Sequence, residues 1–240
     1  IVSLFMPAVL GIIADRWIPA QKLLSFSHFT AALFMAAAGY YGMTKGADVD
    51  FGTLFTLYSL SVAFYMPTLA LSNSVAYTAL DKAGLDTIRT FPPIRIFGTI
   101  GFICSMWVVD LLGLQNNYGQ FFACAIIGVA YGVYALTLPE CPTSKGDNAK
   151  SLVEALGLRA FTLFKQKKMA VFFIFSMLLG VSLQITNGFA NPYISSFGSI
   201  PEYAGTFGVQ HANILISLSQ ISETLCIPVS YTHLTLPTKA

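Results

Sequence analysis

A cation, a hydroxyl group and an aromatic ring share one face of an otherwise apolar stretch. Arg95, Thr99 and Phe102 follow one another at intervals of four and three residues, which places them on one side of a helix. A cation inside an apolar span is costly and marks a functional site, unless it snorkels from a nearby helix end to the membrane surface. Pro92 and Pro93 predict that the helix begins just before Arg95, because proline is tolerated in the first turn. We expect Arg95 to bind a ligand, with snorkelling as the alternative.

Two later apolar stretches carry amide and carboxyl groups on one face. Gln184 and Asn187, continued by Asn191, form a stripe of amides. Amides donate and accept hydrogen bonds, which suits a neutral polar ligand such as a sugar or a nucleobase, although they also join helices to one another. Gln220 and Glu223 lie in the last apolar stretch, and we interpret Glu223 as the only carboxyl group deep in a span. Such a group is a candidate for proton exchange, and a permanently neutral structural carboxyl is the alternative.

The remaining reactive side chains predict no metal site, no cofactor and no catalytic residues. Neither His28 nor His211 has an acid or a cysteine at zinc-like spacing, and the four cysteines are far apart. The sequence has no phosphate-binding loop, no dinucleotide fingerprint and no serine nucleophile elbow. A membrane-embedded enzyme would need paired acids or an acid–histidine pair near a membrane face, which a single buried acid does not supply.

The composition is that of a protein with several membrane-spanning helices. The chain has 240 residues, of which 55% are hydrophobic and only 10% charged, whereas a soluble domain has about 25% charged residues. The mean hydropathy is +0.67. Apolar stretches of helical length predict seven spans, at about 1–14, 23–41, 53–79, 94–112, 119–138, 169–192 and 207–226.

Lysine and arginine residues indicate how the spans are oriented. Ten of the thirteen lie in alternate connections, namely Arg16, Lys22, Lys82, Arg89, Lys145, Lys150, Arg159, Lys165, Lys167 and Lys168. The opposite connections contain only Lys45. The positive-inside rule therefore predicts that the first set is cytoplasmic, including the long connection 139–168. Within that connection, residues 151–164 have helical spacing suited to the membrane surface.

The first cytoplasmic connection resembles a loop signature of the major facilitator superfamily. Gly11, Asp15 and Arg16 match the glycine and the Asp-Arg pair that follow the second helix in that family, while Ile18 stands where the family usually has glycine. The resemblance implies that Asp15 and Arg16 take part in gating, by holding the cytoplasmic helix ends together in one state.

A longer resemblance is more specific. The stretches AFYMPTLALSNSVAY, FPPIRIFGTIGF and QHANILISLSQISETL are similar to those of the bacterial proton-linked nucleoside permeases of the same superfamily, and the similarity covers about residues 4–226. It implies an all-α polytopic protein with the major facilitator fold, here an internal fragment from about the second to the eighth of twelve helices. The resemblance implies that a proton is imported with the substrate, and the isolated carboxyl group of Glu223 is our candidate for coupling the two. The resemblance also implies substrate binding by Arg95, Thr99, Phe102, Gln184, Asn187, Gln220 and Glu223.

The same resemblance predicts the domains, the partners and the location. Residues 1–138 form an N-terminal helix bundle without its first helix, 139–168 a cytoplasmic linker, and 169–226 the start of a C-terminal bundle. Residues 227–240 resemble translated sequencing-adapter sequence and are expected to be non-native. The expected partners are a purine or pyrimidine nucleoside and the lipid bilayer of the bacterial inner membrane, with the proton as coupling ion. We expect a monomer and no nucleic-acid binding.

Two alternatives of the same fold stay open at this point. An oligosaccharide–proton symporter would use amides and one carboxylate equally well. A membrane protein that binds nucleoside without proton coupling would also fit the sequence.

Overall fold

Each of the first six predicted spans corresponds to one α-helix, and the seventh is divided between two. The computed structural model describes the backbone of residues 2–115, 117–143 and 158–235, and the side chains of 5–115, 117–143 and 162–226. Within these ranges the α-helices are α1 (Val2–Arg16), α2 (Ala20–Lys45), α3 (Phe51–Lys82), α4 (Thr87–Leu111), α5 (Gly119–Ala135), α6 (Lys167–Ser196), α7 (Pro201–Ala204), α8 (Phe207–Gln210) and α9 (Ala212–Thr235). Short 3-10 helices cover Gly46–Asp48, Leu158–Lys165 and Phe197–Ser199. The predicted all-α class is confirmed.

Several of these helices have the length and composition of membrane spans. In the part of the chain that the structure describes, four segments qualify, namely Ala20–Asp48, Phe51–Lys82, Thr87–Leu111 and Lys167–Ser199. Helix α5 is apolar but shorter, with 17 residues. At about 1.5 Å per residue, 20 residues cross the ~30 Å hydrocarbon core of a bilayer. The protein is therefore a multi-pass membrane protein.

Helix α4 begins earlier than its two prolines predict. It starts at Thr87, and Pro92 and Pro93 lie inside it. The reason is local, because the Asp86 carboxylate accepts a hydrogen bond from the Ile88 backbone N–H at 2.9 Å and caps the helix. The prediction that the helix begins at the prolines was wrong. Arg95 is consequently the ninth residue of α4 rather than a member of its first turn.

The last predicted span, 207–226, has different limits in the structure. His211 interrupts it with φ −121° and ψ 52°, between α8 and α9. Helix α9 then continues to Thr235, past the predicted end at residue 226. The predicted surface helix 151–164 lies mostly outside the described residues, and its described part belongs to the 3-10 helix Leu158–Lys165.

The chain divides into two compact units that differ from the predicted bundles. The first unit comprises Ile1–Phe91 and Asn116–Leu158, and the second comprises Pro92–Gln115 and Arg159–Ala240. Helix α4 therefore groups with α6 and α9, whereas the predicted boundaries place it in the bundle 1–138.

Helix α2 organises the first unit through close packing at small residues. A Cβ atom on Gly128 of α5 would lie 3.1 Å from the Cβ of Ala32 on α2, and one on Gly132 would lie 3.1 Å from the Phe29 ring. Ser25 on α2 donates a hydrogen bond to the Gly132 carbonyl oxygen at 2.7 Å. Helices that approach this closely gain van der Waals contact, which replaces the hydrophobic driving force that lipid does not provide.

The segment that follows α5 is also tied to the first turn of α2 and to the end of α3. The buried Gln21 side-chain oxygen accepts a hydrogen bond from the Cys141 backbone N–H at 2.9 Å. Lys82, at the end of α3, donates to the Glu140 carbonyl oxygen at 2.5 Å. Lys22 lies 3.9 Å from the Glu140 carboxylate, but both side chains are largely exposed, so that ion pair adds little stability.

We expect Gly128→Leu to destabilise the protein and Gly180→Leu to leave it unchanged or slightly more stable. Leucine at 128 would overlap Ala32, which cannot move without its backbone, and overpacking of this kind costs about 1–3 kcal/mol. Position 180 on α6 has no atom within 4 Å of a Cβ, so it controls for the change in helix propensity. The measurement is the thermal unfolding midpoint in detergent. Equal midpoints for the two variants would contradict close α2–α5 packing.

Candidate functional site

The structure places the predicted substrate-binding side chains on three helices of the second unit. Helix α4 carries three of them, α6 two and α9 two. In chain order they are Arg95, Thr99, Phe102, Gln184, Asn187, Gln220 and Glu223.

These side chains have no polar partners of their own. Arg95, Gln184, Asn187 and Glu223 are exposed, and the exposed fraction of Phe102 is 50%. Within the described residues, no hydrogen bond or ion pair joins any two of the seven side chains. Arg95 and Glu223 in particular do not form an ion pair with each other. Unpartnered amides, a cation and a carboxylate are groups that a ligand can satisfy.

The two predicted gating residues lie at the end of α1 in the first unit. Asp15 is exposed and Arg16 is half-buried, both in the last turn of the helix. The chain then turns sharply, because the N–H groups of Trp17 and Ile18 both bond to the Ile13 carbonyl oxygen, at 2.9 and 3.0 Å. The gating role of Asp15 and Arg16 stays a prediction.

A buried acid–histidine pair forms a second polar feature of this unit. The Asp110 side chain has no exposed surface, and its Oδ2 lies 2.6 Å from Nδ1 of His211, whose side chain is 34% exposed. Asp110 is in the last turn of α4, and His211 directly precedes α9. Asp110 is thus enclosed by the protein, whereas Glu223 is exposed, and the interpretation of Glu223 as the only carboxyl group deep in a span stays a prediction. The expectation that the chain has no acid–histidine pair was wrong.

Local backbone geometry completes the surroundings of Asp110. Gly113 adopts φ +65°, a conformation that glycine reaches without strain, and ends α4 with a turn. The Leu114 N–H bonds to the Val109 carbonyl oxygen at 2.9 Å across that turn. The turn brings Gln115 back over the helix end, where its side-chain amide donates to the other carboxylate oxygen of Asp110. Both oxygens of the carboxylate are thus satisfied.

Two asparagines extend this network to α6. The Asn191 amide nitrogen donates to the Asn213 side-chain oxygen at 2.5 Å and lies 3.4 Å from the Gln115 side-chain oxygen. Asn191 belongs to the amide stripe that the sequence indicates, yet its hydrogen bonds are made within the protein. Gln184 and Asn187 of the same stripe have none. We call Asp110, His211, Gln115, Asn191 and Asn213 the polar cluster.

A tryptophan joins α4 to α9 one turn away from the polar cluster. The Trp107 indole N–H donates to the Ser217 hydroxyl oxygen at 2.8 Å. Ser217 is fully buried and donates in turn to the Ile214 carbonyl oxygen at 2.7 Å. Three pairs of side chains therefore link the ends of α4, α6 and α9.

Sequence reasoning missed the polar cluster, although one signal for it was present. Asp110, Asn191 and His211 each lie at a predicted span end on the same predicted side of the membrane. A hydropathy analysis uses such polar residues only to locate the ends of spans. It does not indicate which span ends lie next to one another in the folded protein. Among the described residues, no three His, Cys, Asp or Glu side chains gather closely enough to hold a metal ion.

These helices form a multi-pass membrane protein with the major facilitator fold, as comparison with known proteins shows. The family model "Nucleoside H+ symporter" matches residues 1–236. The chain belongs to this family, whose members are transporters and not enzymes. A crystal structure of a mutant of the nucleoside transporter NupG superposes with a TM-score of 0.82 at 43% identity, covering 98% of this chain and 56% of the other.

Curated relatives agree with the family assignment. Nucleoside permease NupG of Escherichia coli (strain K12) is 47% identical over 229 residues, which is 95% of this chain and 53% of the relative. Xanthosine permease of the same organism is 43% identical over 225 residues, covering 93% of this chain and 52% of the relative. The chain thus spans about half the length of the curated relatives it matches.

We expect Asn191→Ala to lower stability and Gln184→Ala not to. The first change leaves the Asn213 oxygen without its donor, which costs about 1–3 kcal/mol for a partly buried group. The second removes an exposed amide that has no recorded partner, and such changes stay within about 0.5 kcal/mol. Thermal unfolding in detergent compares the two variants. A Gln184→Ala loss equal to that of Asn191→Ala would show that the stripe is structural throughout.

Proposed function

We propose that the complete protein imports purine or pyrimidine nucleosides together with protons across the bacterial inner membrane. The observation that carries the proposal is the family match over residues 1–236. The names of the two relatives, nucleoside permease and xanthosine permease, point to the same class of substrate. Alternating access would expose the binding site first to the outside and then to the cytoplasm.

The chemistry of the second unit suits a nucleoside. The amides of Gln184, Asn187 and Gln220 are free to pair with ribose hydroxyls and base edges, which donate and accept hydrogen bonds. Arg95 adds a donor that stays charged, and Thr99 a hydroxyl on the same face of α4. An exposed aromatic ring, Phe102, offers a flat surface on which a base can stack.

Glu223 is our candidate for the proton-coupling residue. It lies on the same helix as Gln220, near the centre of α9, and has no recorded ionic partner among the described residues. A carboxyl group without a fixed partner can gain a proton on one side of the membrane and lose it on the other. No cofactor is needed, since the proton gradient supplies the free energy.

The remaining parts of the proposal concern orientation and assembly. The distribution of lysine and arginine supports a cytoplasmic location for the connection 139–168. The last turns of α4 and α6 and the first turn of α9 would then face outside. The proposal also includes gating by Asp15 and Arg16, an N-terminal bundle within 1–138, a C-terminal bundle that begins within 169–226, and a non-native segment 227–240. We further propose that the protein is a monomer and does not bind nucleic acid.

We expect the complete protein to take up radiolabelled uridine in bacterial cells that lack their own nucleoside carriers, and a protonophore to abolish the accumulation. Glu223→Gln keeps the shape of the side chain but cannot exchange a proton, so it should lose uphill uptake while uridine binding changes by less than about threefold. Uptake that survives the protonophore would indicate an uncoupled carrier. Competition by lactose but not by adenosine would indicate a sugar symporter instead.

We expect Arg95→Ala to weaken uridine binding by about tenfold or more, because a hydrogen bond to a charged group contributes about 1.5–3 kcal/mol. Arg89→Ala is the matched control on the same helix. Arg89 makes only an exposed ion pair with Asp86, at 3.5 Å, and should leave the Kd unchanged. Calorimetry on the purified protein measures both variants. An unaltered Kd in Arg95→Ala would mean that Arg95 snorkels and does not bind substrate.

A further inference from the structure

A group of positive charges lies where the chain enters α6, away from the predicted substrate-binding side chains. Lys165 ends the 3-10 helix Leu158–Lys165, and Lys167 and Lys168 are the first two residues of α6. All three side chains are exposed. Lysine is protonated at neutral pH, so this short stretch carries three positive charges. We call these three residues the lysine cluster.

No acidic side chain among the described residues compensates the lysine cluster. None of the three lysines forms an ion pair there, whereas Lys22 lies 3.9 Å from the Glu140 carboxylate. The sequence around the cluster also lacks acids, since no aspartate or glutamate occurs between Glu154 and Glu202. The counter-charge of the cluster therefore comes from its surroundings, which are the aqueous medium or the lipid.

A pair of stacked rings fixes the position of this segment against α6. The Phe164 ring stacks on the Phe173 ring, with centroids 4.9 Å apart and an angle of 22° between the planes. In an unbroken helix the nine residues from one to the other would span about 13.5 Å along the axis. The chain instead bends at Gln166, whose backbone is extended with φ −89° and ψ 115°. The bend brings the Phe164 ring back against the second turn of α6.

The length of the span that begins at Lys167 places the lysine cluster at the level of the lipid headgroups. The span Lys167–Ser199 has 33 residues, which cover about 50 Å, close to the thickness of a bilayer with its headgroups. Phe173 lies six residues further in, at a depth of about 9 Å. Leu163 and Phe164 are exposed beside it. Apolar side chains about 5–10 Å below a row of lysines are typical of a segment that lies in the membrane surface.

This combination of charge and apolar surface favours one class of ligand. A dissolved anion can pair with ammonium groups but gains nothing from exposed phenylalanine and leucine side chains. A zwitterionic lipid covers the apolar side chains, but it brings its own cation to the phosphate and needs no further one. An anionic phospholipid satisfies both parts, because its phosphate lacks a cation and its acyl chains adjoin the rings.

We propose that Lys165, Lys167 and Lys168 bind an anionic phospholipid, whose acyl chains contact Phe164 where it stacks on Phe173. The lysine ammonium groups pair with the lipid phosphate, and their aliphatic stems extend along the apolar side chains. The bound lipid holds the start of α6 at the membrane surface. Lipid binding follows from the membrane setting and does not depend on the substrate. Only the choice of the cytoplasmic leaflet rests on the proposed orientation.

The test measures the Kd of the complete protein, in a non-ionic detergent, for phosphatidylglycerol that carries a fluorescent acyl chain, by fluorescence anisotropy. Replacing all three lysines, as Lys165→Gln, Lys167→Gln and Lys168→Gln together, should raise the Kd by about tenfold or more, since each lysine near an anionic surface contributes a factor of about five. The triple arginine variant keeps the charge and should keep the Kd. Lys22→Gln is the matched control, because Lys22 already has an acidic neighbour in Glu140. An unchanged Kd in the triple glutamine variant would overturn the proposal.

The stacked rings have a separate test. Phe164→Ala keeps every charge and removes the ring that contacts Phe173. We expect its Kd for the labelled lipid to rise by about threefold, the size typical of one aromatic contact. A Kd equal to that of the wild-type protein would show that the rings do not contribute to the site.

Competition experiments distinguish the sources of negative charge. Unlabelled phosphatidylglycerol should displace the labelled lipid, whereas phosphatidylcholine and inorganic phosphate should not. Displacement by inorganic phosphate would indicate a site for dissolved anions, and displacement by phosphatidylcholine a site without charge selectivity, and either result would overturn the proposal. The three single glutamine variants repeat the test if the triple variant does not fold. Because the assay contains no nucleoside, selective lipid binding without uridine uptake would refute the proposed transport function alone.

Discussion

The carboxylate of Asp110 is buried without any exposed surface, and the surrounding end of the second unit is built to satisfy it. Removing one charge from water is expensive, so its partners must be held accurately in place. Gly113 makes the turn that returns Gln115, and the break at His211 frees an imidazole to face the acid. In a helix that ran unbroken through residue 211, the regular backbone would fix the direction of the histidine side chain. The break allows the imidazole to reach the Asp110 carboxylate instead.

Polar side chains of the second unit fall into two groups, according to whether the protein itself satisfies them. Asn191 and Gln184 illustrate the difference, since they lie on one face of α6 only seven residues apart. Asn191 is bonded to Asn213, whereas Gln184 has no recorded partner among the described residues. Satisfied groups stabilise a conformation, and unsatisfied groups provide binding energy for a ligand. The same helix thus contributes to structure at one end and is available for recognition nearer its centre.

Hydropathy predicted the helices well and their ends less well. Apolar length located each span, because that length is imposed by the bilayer. The start of α4 was misjudged, since prolines suggest a helix start and the Asp86 cap that overrides them depends on one side-chain hydrogen bond. The pairing of Asp110 with His211 could not be predicted from hydropathy. Asp110 and His211 are 101 residues apart, and nothing in a single sequence states that two particular span ends meet.

Asp110 and Glu223, two of the acids of the second unit, differ in their surroundings. Glu223 is exposed and has no partner among the described residues, so it is open to a ligand. Asp110 is enclosed and bonded to His211 and Gln115, so it holds the end of α4 against the start of α9. A carboxylate whose two oxygens are already bonded gains little from a ligand, whereas an exposed carboxyl group without a partner can gain a hydrogen bond. The unit therefore separates the acid that stabilises its helix packing from the acid that is available for recognition.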